Sequence, residues 1–455
     1  MTSRRDQLHS YQFMNQRVVS ALVMRETDPA QSPLRRGIGA LFGGLMVAIL
    51  IGAVCGVVGI LTKVGTKTWK SDGSVVVERE SGAVFVYLSG RLNPALNLAS
   101  AKLAAGRPNP VVQRIAAKSL AEVPRGTMIG IAGAPESLPE AGRQSGLPWT
   151  MCAVIGSRPS SVLLAGSAGP AGAGLADRGL VVQDAAKGMR YLIWQGRKYQ
   201  FQDSRTTIPA LFGAVAATPV GTAWLDAIPS GVDIAALGVA NRGAASGRVP
   251  GRKNGEVLVA TTGSGEQNYL VFDDGLAPIT PLQRAVLEAR FPGTPAPITV
   301  NEVGQLPTST RLDGLDPATQ PPATPPPLAD VEPDRTVCAI TRDAGAPPAL
   351  SIGGSAAELT ASVPTSSAAP TGRAMADAVL VPAGTYQLVR VPGSGGYTLV
   401  TDLGIRYAVP SPDVLAMLGY SPAAAVTVPT ALVNRIPAGV TLEPSNALAP
   451  ARAGE

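Results

Sequence analysis

The longest uncharged apolar run in the chain covers residues 38–61, with the sequence IGALFGGLMVAILIGAVCGVVGIL. A helix rises about 1.5 Å per residue, so this run would extend about 36 Å and could cross a hydrocarbon core of about 30 Å with some tilt. It begins after 37 residues and is longer than the apolar core of a cleaved signal peptide. The sequence therefore predicts one uncleaved transmembrane helix, with a short arm before it and most of the chain after it.

Charges on either side of the run predict its orientation. Six arginines and three acidic residues lie in residues 1–36, whereas the far side opens with Lys63, Lys67 and Lys70. Cytoplasmic flanks are enriched in cations, so we expect a cytoplasmic N-terminus and an extracytoplasmic bulk in a cytoplasmic (inner) membrane. Apolar residues at helical spacing before Pro29 predict an amphipathic helix in the arm. This helix either docks at the membrane surface or only flanks the anchor.

Three cysteines are present, and only Cys152 and Cys338 lie beyond the apolar run, because Cys55 is inside it. Two cysteines in an exported domain most simply form one disulfide. In a reducing compartment they would instead be two buried small apolar residues. We expect the Cys152–Cys338 disulfide.

A pattern of a strand, a turn glycine, a second strand, a helix and a closing Pro-x-Gly recurs along the external region. The three clearest turn and closing glycines, 35 or 36 residues apart, are Gly90 with Gly126, Gly196 with Gly231, and Gly404 with Gly439. A further unit turns at Gly275, but its closing segment, residues 306–309, has no glycine. Constant spacing of this kind predicts four structural repeats, since hairpin turns need glycine where φ is positive.

The repeats belong to a larger duplication. Residues 149–154 (WTMCAV) resemble residues 335–340 (RTVCAI), and the two cysteines follow Gly90 and Gly275 by 62 and 63 residues. The expected fold is a single transmembrane helix plus an elongated α+β extracytoplasmic domain. In it, four hairpin/helix repeats surround a disulfide-linked central β-sheet with pseudo-twofold symmetry.

These patterns divide the chain into twelve segments. They are a cytoplasmic arm (1–37), the transmembrane helix (38–61), a juxtamembrane linker (62–82), repeat 1 (83–131), the first central-domain segment (132–188), repeat 2 (189–235), a flexible loop (236–265), repeat 3 (266–310), a Pro-rich linker (311–334), the second central-domain segment (335–395), repeat 4 (396–443) and a disordered tail (444–455).

Catalytic patterns are scarce. The single histidine, His9, lies in the arm, which excludes a histidine-dependent triad in the large domain. No metal-ligand cluster and no basic stripe with interleaved aromatics is found, so we expect no catalytic, cofactor or metal residues and no nucleic-acid partner. The segment nearest to a phosphate-binding loop, residues 65–68 (GTKT), lacks the required glycines. Asp273 and Asp274 look like turn residues before Gly275 rather than a nucleotide site.

Two residue sets could serve assembly or wall binding. Gly39-x-x-x-Gly43 and Gly52-x-x-x-Gly56 are spacings that let membrane helices approach closely, so these four glycines are the predicted helix-association residues. Aromatic residues concentrate on the repeat hairpins and form either a glycan-binding face or, as we favour, the repeat cores. They are Tyr87, Tyr191, Trp194, Tyr269, Tyr397 and Tyr407.

Local strings carry a resemblance to a known family. LSGRLNPALNLASAKL at residues 88–103, IGIAGAP at 129–135 and DLGIRYAVP at 402–410 resemble EccB, the single-pass subunit of the actinobacterial type VII (ESX) secretion membrane complex. The similarity extends over nearly the whole chain. It implies a scaffold subunit that assembles with EccC, EccD, EccE and a mycosin protease around a secretion pore and that self-associates as a dimer or a higher oligomer. Some relatives carry an ATPase label, so an ATPase of the same system, or a peptidoglycan-binding anchor, is the alternative function.

Overall fold

The computed structural model describes residues 3–25, 35–61, 69–365, 374–393 and 395–451. The chain divides into two compact units, residues 1–70 and residues 71–455. The first contains helices α1 (Arg4–Met24) and α2 (Arg35–Leu61). Helix α1 starts at a capping box in which Ser3 and Asp6 satisfy each other's backbone N–H groups. Within the described residues, one helical stretch could cross a membrane by length and composition, Gly37–Val57, with a mean hydropathy of 2.5.

Four sheets of the second unit share one strand order. In each, the first four strands lie in the order third, second, first, fourth, and the last sheet has a fifth strand beside the third. The first three form an antiparallel meander, and a helix then carries the chain to a fourth strand that pairs in parallel with the first. We call each sheet with its helices a module.

The elements follow in chain order. Module 1 has β1 (Ser74–Glu78), β2 (Val84–Leu88), β3 (Arg91–Ala95), α3 (Leu98–Ala104), β4 (Val112–Ile115) and α4 (Ala117–Leu120). Next come three strands of a separate sheet, β5 (Trp149–Val154), β6 (Ser160–Ala165) and β7 (Ala173–Gly174). Module 2 has β8 (Leu180–Asp184), β9 (Arg190–Trp194), β10 (Arg197–Gln200), α5 (Ser204–Phe212), β11 (Thr218–Val220) and α6 (Thr222–Ala227).

The second half has the same succession of elements. Module 3 has β12 (Val257–Thr262), β13 (Gly265–Phe272), β14 (Gly275–Ile279), α7 (Pro281–Arg290), β15 (Ala296–Pro297) and α8 (Val300–Gln305). Four further strands of the separate sheet are β16 (Arg335–Thr341), β17 (Ala349–Ser355), β18 (Val363–Pro364) and β19 (Ala378–Leu380). Module 4 has β20 (Tyr386–Arg390), β21 (Tyr397–Thr401), β22 (Arg406–Val409), α9 (Pro412–Leu418), β23 (Val426–Thr427), α10 (Thr430–Val433) and β24 (Ala438–Thr441), and α11 (Pro444–Leu448) follows it.

Each Pro-x-Gly segment, or its counterpart, returns along the third strand of its module. The carbonyl oxygen of the proline accepts a hydrogen bond from a third-strand N–H in all four modules. The donor and acceptor pairs are Leu92 with Pro124, Lys198 with Pro229, Leu276 with Pro307, and Arg406 with Pro437. The return segment thus lengthens each sheet beyond the third strand.

Modules pair across the two halves of the chain. Modules 1 and 4 share a core in which Val86 and Leu103 belong to the same cluster as Leu388 and Leu415. Modules 2 and 3 share another, which includes Ile208 of α5 and Val286 of α7. We call these two module pairs the two ends of the unit. Each end buries apolar surface that one half of the chain alone would leave exposed.

A seven-stranded central sheet joins the halves. Its order is β18-β19-β6-β5-β16-β17-β7, so the two middle strands come from different halves and pair antiparallel. Trp149, Met151 and Leu163 are fully buried within the cluster on one side of this sheet. The mixed α/β unit with a disulfide agrees with the fold class expected from the sequence.

Several expected boundaries differ from the structure. Each repeat begins earlier than expected, because its first strand precedes the predicted start; in module 1, β1 lies inside the expected linker of residues 62–82. The expected flexible loop (236–265) includes β12, and Val249 within it is 1% exposed. The expected disordered tail instead contains α11, with Ala447 fully buried. Residues 452–455 of that tail lie outside the described residues.

The Pro-rich linker (311–334) is a packed segment rather than a free spacer. Its carbonyl oxygens accept hydrogen bonds from the backbone N–H groups of Val232, Leu282 and Gly179, which lie in modules 2 and 3 and just before β8. Proline has no N–H to offer but keeps its acceptor, so a proline-rich strand can be held through its carbonyl groups.

Candidate functional site

The middle of the central sheet carries a disulfide between Cys152 and Cys338, 186 residues apart in sequence. The two cysteines face each other across β5 and β16 and are both buried. Gly169 lies over the bond, since a Cβ there would be 3.4 Å from Cys152 Sγ. Thr150 anchors the covering loop by donating to the Ser167 carbonyl at 2.7 Å. The bond therefore joins the halves inside the core and is shielded from solvent.

An ion pair between a buried arginine and a half-exposed aspartate connects module 2 to module 4. Arg435, 6% exposed, donates from Nη1 to Asp226 at 3.1 Å and also to the Ala374 carbonyl. Lys198 donates to the Leu225 carbonyl at 2.6 Å and lies 3.9 Å from Asp226. Burial lowers the pKa of Lys198, and the Asp226 carboxylate acts in the opposite direction. Removing one partner would leave a buried charge uncompensated, which is costly.

Polar side chains dock the segment before β5 onto module 4. Buried Gln387 donates to Ser145 and accepts from Trp149 Nε1 at 3.4 Å. Tyr386 and Tyr420 stack with ring centroids 4.4 Å apart, and their hydroxyls donate to the Ala141 and Pro139 carbonyls at 2.8 Å. Burial raises the pKa of both phenols. These contacts have a structural role, because each of these side chains forms its hydrogen bonds with another group of the fold.

Of the two nucleotide candidates, the structure describes only Asp273 and Asp274. Residues 65–68 lie outside the described residues. Asp273 and Asp274 form the two-residue turn between Phe272 and Gly275, which agrees with their expected role. The Asp273 carboxylate accepts from the Gly247 N–H at 3.0 Å, and that of Asp274 lies 4.0 Å from Arg311. Among the described residues, no group of three His, Cys, Asp or Glu side chains is placed to hold a metal ion.

The predicted association glycines occupy two faces of α2. At 100° per residue, Gly39 and Gly43 share one face, and Gly52 and Gly56 share another that lies roughly 140° away. A Cβ added at any of the four would meet no atom within 4 Å. Within the described unit, no atom covers these glycines, so a neighbouring membrane helix could pack against either face.

Most of the hairpin aromatics belong to the module cores. Tyr191, Tyr397 and Tyr407 are buried. Trp194 and Tyr269 are half-buried and pack against the apolar clusters of modules 2 and 3. Tyr87 is half-buried as well. The Arg435–Asp226 pair and the Gln387 contacts gave no signal in the sequence, because their partners are more than 200 residues apart.

Comparison with known proteins gives one consistent result. The family described as "Type VII secretion system ESX-1, transport TM domain B" matches residues 1–452. "ESX-3 secretion system ATPase EccB3" of Mycolicibacterium smegmatis is 26% identical over 98% of this chain and 90% of its own length. "ESX-5 secretion system ATPase EccB5" of Mycobacterium tuberculosis is 30% identical over 68% of this chain and 64% of its own length.

Solved structures agree. A chain of an intact ESX-5 inner membrane complex is similar with a TM-score of 0.66 and 26% identity, over 100% of this chain and 97% of that one. A chain of the EccB3 dimer from the ESX-3 core complex is similar with a TM-score of 0.64 and 26% identity, over 83% of this chain and 100% of that one.

Proposed function

Because the chain belongs to the EccB family and is a structural component of a type VII secretion system, we propose that its second unit is the rigid scaffold on which the secretion pore assembles. The observation that carries the proposal is the cross-linking of four modules: each end combines modules from both halves, and the disulfide-linked sheet joins the ends. Such a body resists deformation, because every connection between modules is a packed core or a buried bond.

The internal duplication belongs to this proposal. The shared strand order of the four sheets and the four equivalent proline-carbonyl hydrogen bonds support four repeats. The inner order β6-β5-β16-β17, antiparallel throughout and with Cys152 opposite Cys338, supports a pseudo-twofold axis between β5 and β16. The outermost strands depart from this symmetry, because β19 pairs parallel with β6 and β7 pairs antiparallel with β17. A scaffold with two similar ends can contact two neighbours through related surfaces.

We also propose the orientation and the partners. The arginine-rich arm supports a cytoplasmic N-terminus and an external second unit. The partners are a second copy of the chain and the EccC, EccD, EccE and mycosin components of the same complex, as the family membership suggests. The two glycine faces of α2 would each receive a neighbouring membrane helix.

Deletion of residues 71–455 tests the scaffold role. We expect the remaining anchor to insert into the membrane, while substrate export and the intact membrane complex are lost. Export and complex size on native gels are the measurements, with the unaltered chain as control. Normal export from the deletion strain would refute the proposal.

An ATPase function is the second candidate, since the curated relatives carry that name. ATP turnover by the purified full chain, abolished by Lys67→Ala or by Asp273→Asn with Asp274→Asn, would establish it. Turnover that survives these changes would point to a contaminating enzyme.

A further inference from the structure

The two module pairs can be compared residue by residue. From the turn glycine onward, residues of module 4 follow their counterparts in module 2 by 208 positions, as in Gly196 with Gly404, Tyr199 with Tyr407, Pro229 with Pro437, Gly231 with Gly439, and Ile234 with Leu442. Both Ile234 and Leu442 are buried after the return segment. The chain that continues from Ile234 is therefore the counterpart of the tail that continues from Leu442.

At the end formed by modules 1 and 4, the tail fills a slot. Helix α11 packs on α3, and residues 449–451 then pair antiparallel with residues 128–130. The Gly130 N–H donates to the Ala449 carbonyl at 3.2 Å, and the Ala451 N–H donates to the Met128 carbonyl at 2.9 Å. A strand of small apolar residues thus closes this end.

At the end formed by modules 2 and 3, Ala236, Leu237 and Val239 of the counterpart segment pack against the apolar clusters, but the segment pairs with none of the described strands. Residues 235–239 have no regular structure. Within the regions that the structure describes, no backbone N–H from residue 235 to residue 242 donates to a protein acceptor. The segment is nevertheless fixed at both ends, because the Ile234 N–H donates to the Gln200 carbonyl at 2.8 Å and the Gly243 N–H to the Asn254 carbonyl at 2.9 Å.

A cavity lies beside residues 237–240, which form no strand pairing. It has a volume of about 360 Å³ and is lined by residues 237–240, Phe272, Asp273, Arg311 and Leu312. Relative to the closing prolines Pro124 and Pro307, Arg311 and Leu312 are the counterparts of Met128 and Ile129, which receive the tail strand at the other end. The cavity at this end therefore occupies the position that corresponds to the tail strand at the other end.

A second cavity lies on the other side of the same segment. Its volume is about 620 Å³, and Leu237, Val286 and Phe291 contribute apolar walls. Phe291, 43% exposed, is covered on one face by the Arg242 guanidinium at 3.9 Å from the ring centroid. At the other end, α11 packs against α3, the counterpart of α7.

We propose that the slot between residues 237–240 and residues 311–312 binds an extended peptide segment of another polypeptide chain, rich in small apolar residues. The peptide would add as a strand to the unpaired N–H and C=O groups of residues 238–240, and a neighbouring apolar side chain would enter the larger cavity. The chemistry follows from the tail strand Ala449-Pro450-Ala451, which occupies the counterpart slot. The inference depends on the module equivalence proposed above and not on the role in secretion, so peptide binding and export are separate readouts.

A synthetic peptide of residues 443–451 is the probe, because these residues occupy the counterpart slot at the other end. Binding to the full chain in detergent is measured by fluorescence anisotropy. We expect saturable binding that Ala240→Trp, which fills the slot, weakens at least tenfold. Gln267→Trp adds the same bulk at an exposed position of module 3 and should leave binding unchanged.

A covalent trap keeps the test independent of any folding defect. With Ala240→Cys in the chain, the new thiolate attacks a peptide cysteine, at the position of Ala451, that is supplied as its 2-thiopyridyl disulfide. The disulfide between chain and peptide forms as pyridine-2-thione leaves, so no further oxidant is needed. This exchange should be at least tenfold faster than with Gln267→Cys. Equal trapping at both positions, or equal affinity for the unaltered chain and Ala240→Trp, would overturn the proposal.

Discussion

At the scale of single residues, each closing glycine is explained by the side chain that it faces. A Cβ on Gly231 would lie 2.1 Å from Tyr199 Cε1, and a Cβ on Gly439 would lie 2.6 Å from Tyr407 Cε1. In module 3 the facing residue is Ala277, and Ser309 takes the place of the glycine. The glycine is therefore needed only where the third strand carries a large side chain.

Gly231→Ala should destabilise the second unit. The added methyl group collides with the Tyr199 ring, which is 1% exposed and has no room to move, so we expect a loss of about 2 kcal/mol in the free energy of unfolding. Urea unfolding of the full chain in detergent measures it. Gly304→Ala in α8 is the matched control, since no atom lies within 4 Å of its added Cβ and alanine favours the helix. Equal stability of both variants would contradict the packing argument.

Tyr420 should make the fold sensitive to alkaline pH. Burial, with a smaller contribution from Tyr386, raises its pKa, so the folded chain keeps the phenol proton while the unfolded chain loses it near pH 10. The unfolded state then binds fewer protons, and stability falls as pH rises above about 10. Tyr420→Phe should reduce that fall by up to about 1.4 kcal/mol per pH unit.

The same variant loses the hydrogen bond to the Pro139 carbonyl, which costs about 1 kcal/mol at neutral pH. Thermal unfolding at pH 7 and in steps above pH 10 separates the two effects. A slope with pH that is the same in both proteins would show that Tyr420 ionises freely in the folded chain.

At the scale of elements, the second and third strands of each module could be predicted, but the first could not. The hairpin after the second strand turns through the two residues Ser89 and Gly90 in module 1, both with positive φ, and through Gln195 and Gly196 in module 2. Such turns leave a glycine at constant spacing. By contrast, the connection between the first two strands differs in length between modules, so no constant signal marks the first strand.

In the unit at Gly275, the sequence pattern places the hairpin turn one position too late. Phe272 pairs with Gly275, so the turn is Asp273-Asp274 and Gly275 is the first residue of β14 rather than a turn glycine. Glycine is required there for a close approach, because a Cβ would lie 2.2 Å from the Pro307 carbonyl oxygen. Sequence spacing alone does not distinguish these two reasons for a glycine.

Loss of the disulfide should weaken the central sheet without abolishing it. Cys152→Ser with Cys338→Ser opens a loop of 186 residues, which corresponds to up to about 5 kcal/mol of unfolded-state entropy. Strand pairing between β5 and β16 remains. We expect a lower midpoint of unfolding in urea, with the native circular dichroism retained. An unchanged midpoint, or alkylation of either cysteine in the unreduced natural chain, would contradict this.

The glycine faces of α2 predict a separable effect on assembly. Replacing Gly39, Gly43, Gly52 and Gly56 by leucine keeps the helix apolar, so insertion should be unaffected, while neighbouring helices can no longer approach closely. We expect less intact complex on native gels and a normal amount of membrane-bound chain. Leucine at Ala40, Ala48 and Ala53 is a control for added volume. Normal assembly of the glycine variant would show that the helix only anchors the chain in the membrane.

At the scale of the whole molecule, the pairing of modules was not predictable. The duplication predicts two halves that share a central sheet, but it does not indicate that module 1 packs on module 4 and module 2 on module 3. The surfaces that meet are ordinary apolar helix faces, which fit several partners equally well. The Arg435–Asp226 contact is equally hidden, since an arginine and an aspartate 209 positions apart form no motif. Only the assembled core selects among the possible pairings.

Because modules from different halves pack together, each half should depend on the other for its stability. A chain divided between Gly247 and Arg248 yields one piece with modules 1 and 2 and another with modules 3 and 4. Each piece alone has an incomplete central sheet and two unpartnered apolar faces, so neither should resist protease. Produced together, the pieces should form a resistant complex joined through Cys152 and Cys338, because every buried core is then restored. A single piece with native circular dichroism and full protease resistance would show that each half folds independently and that the pairing across halves contributes little to stability.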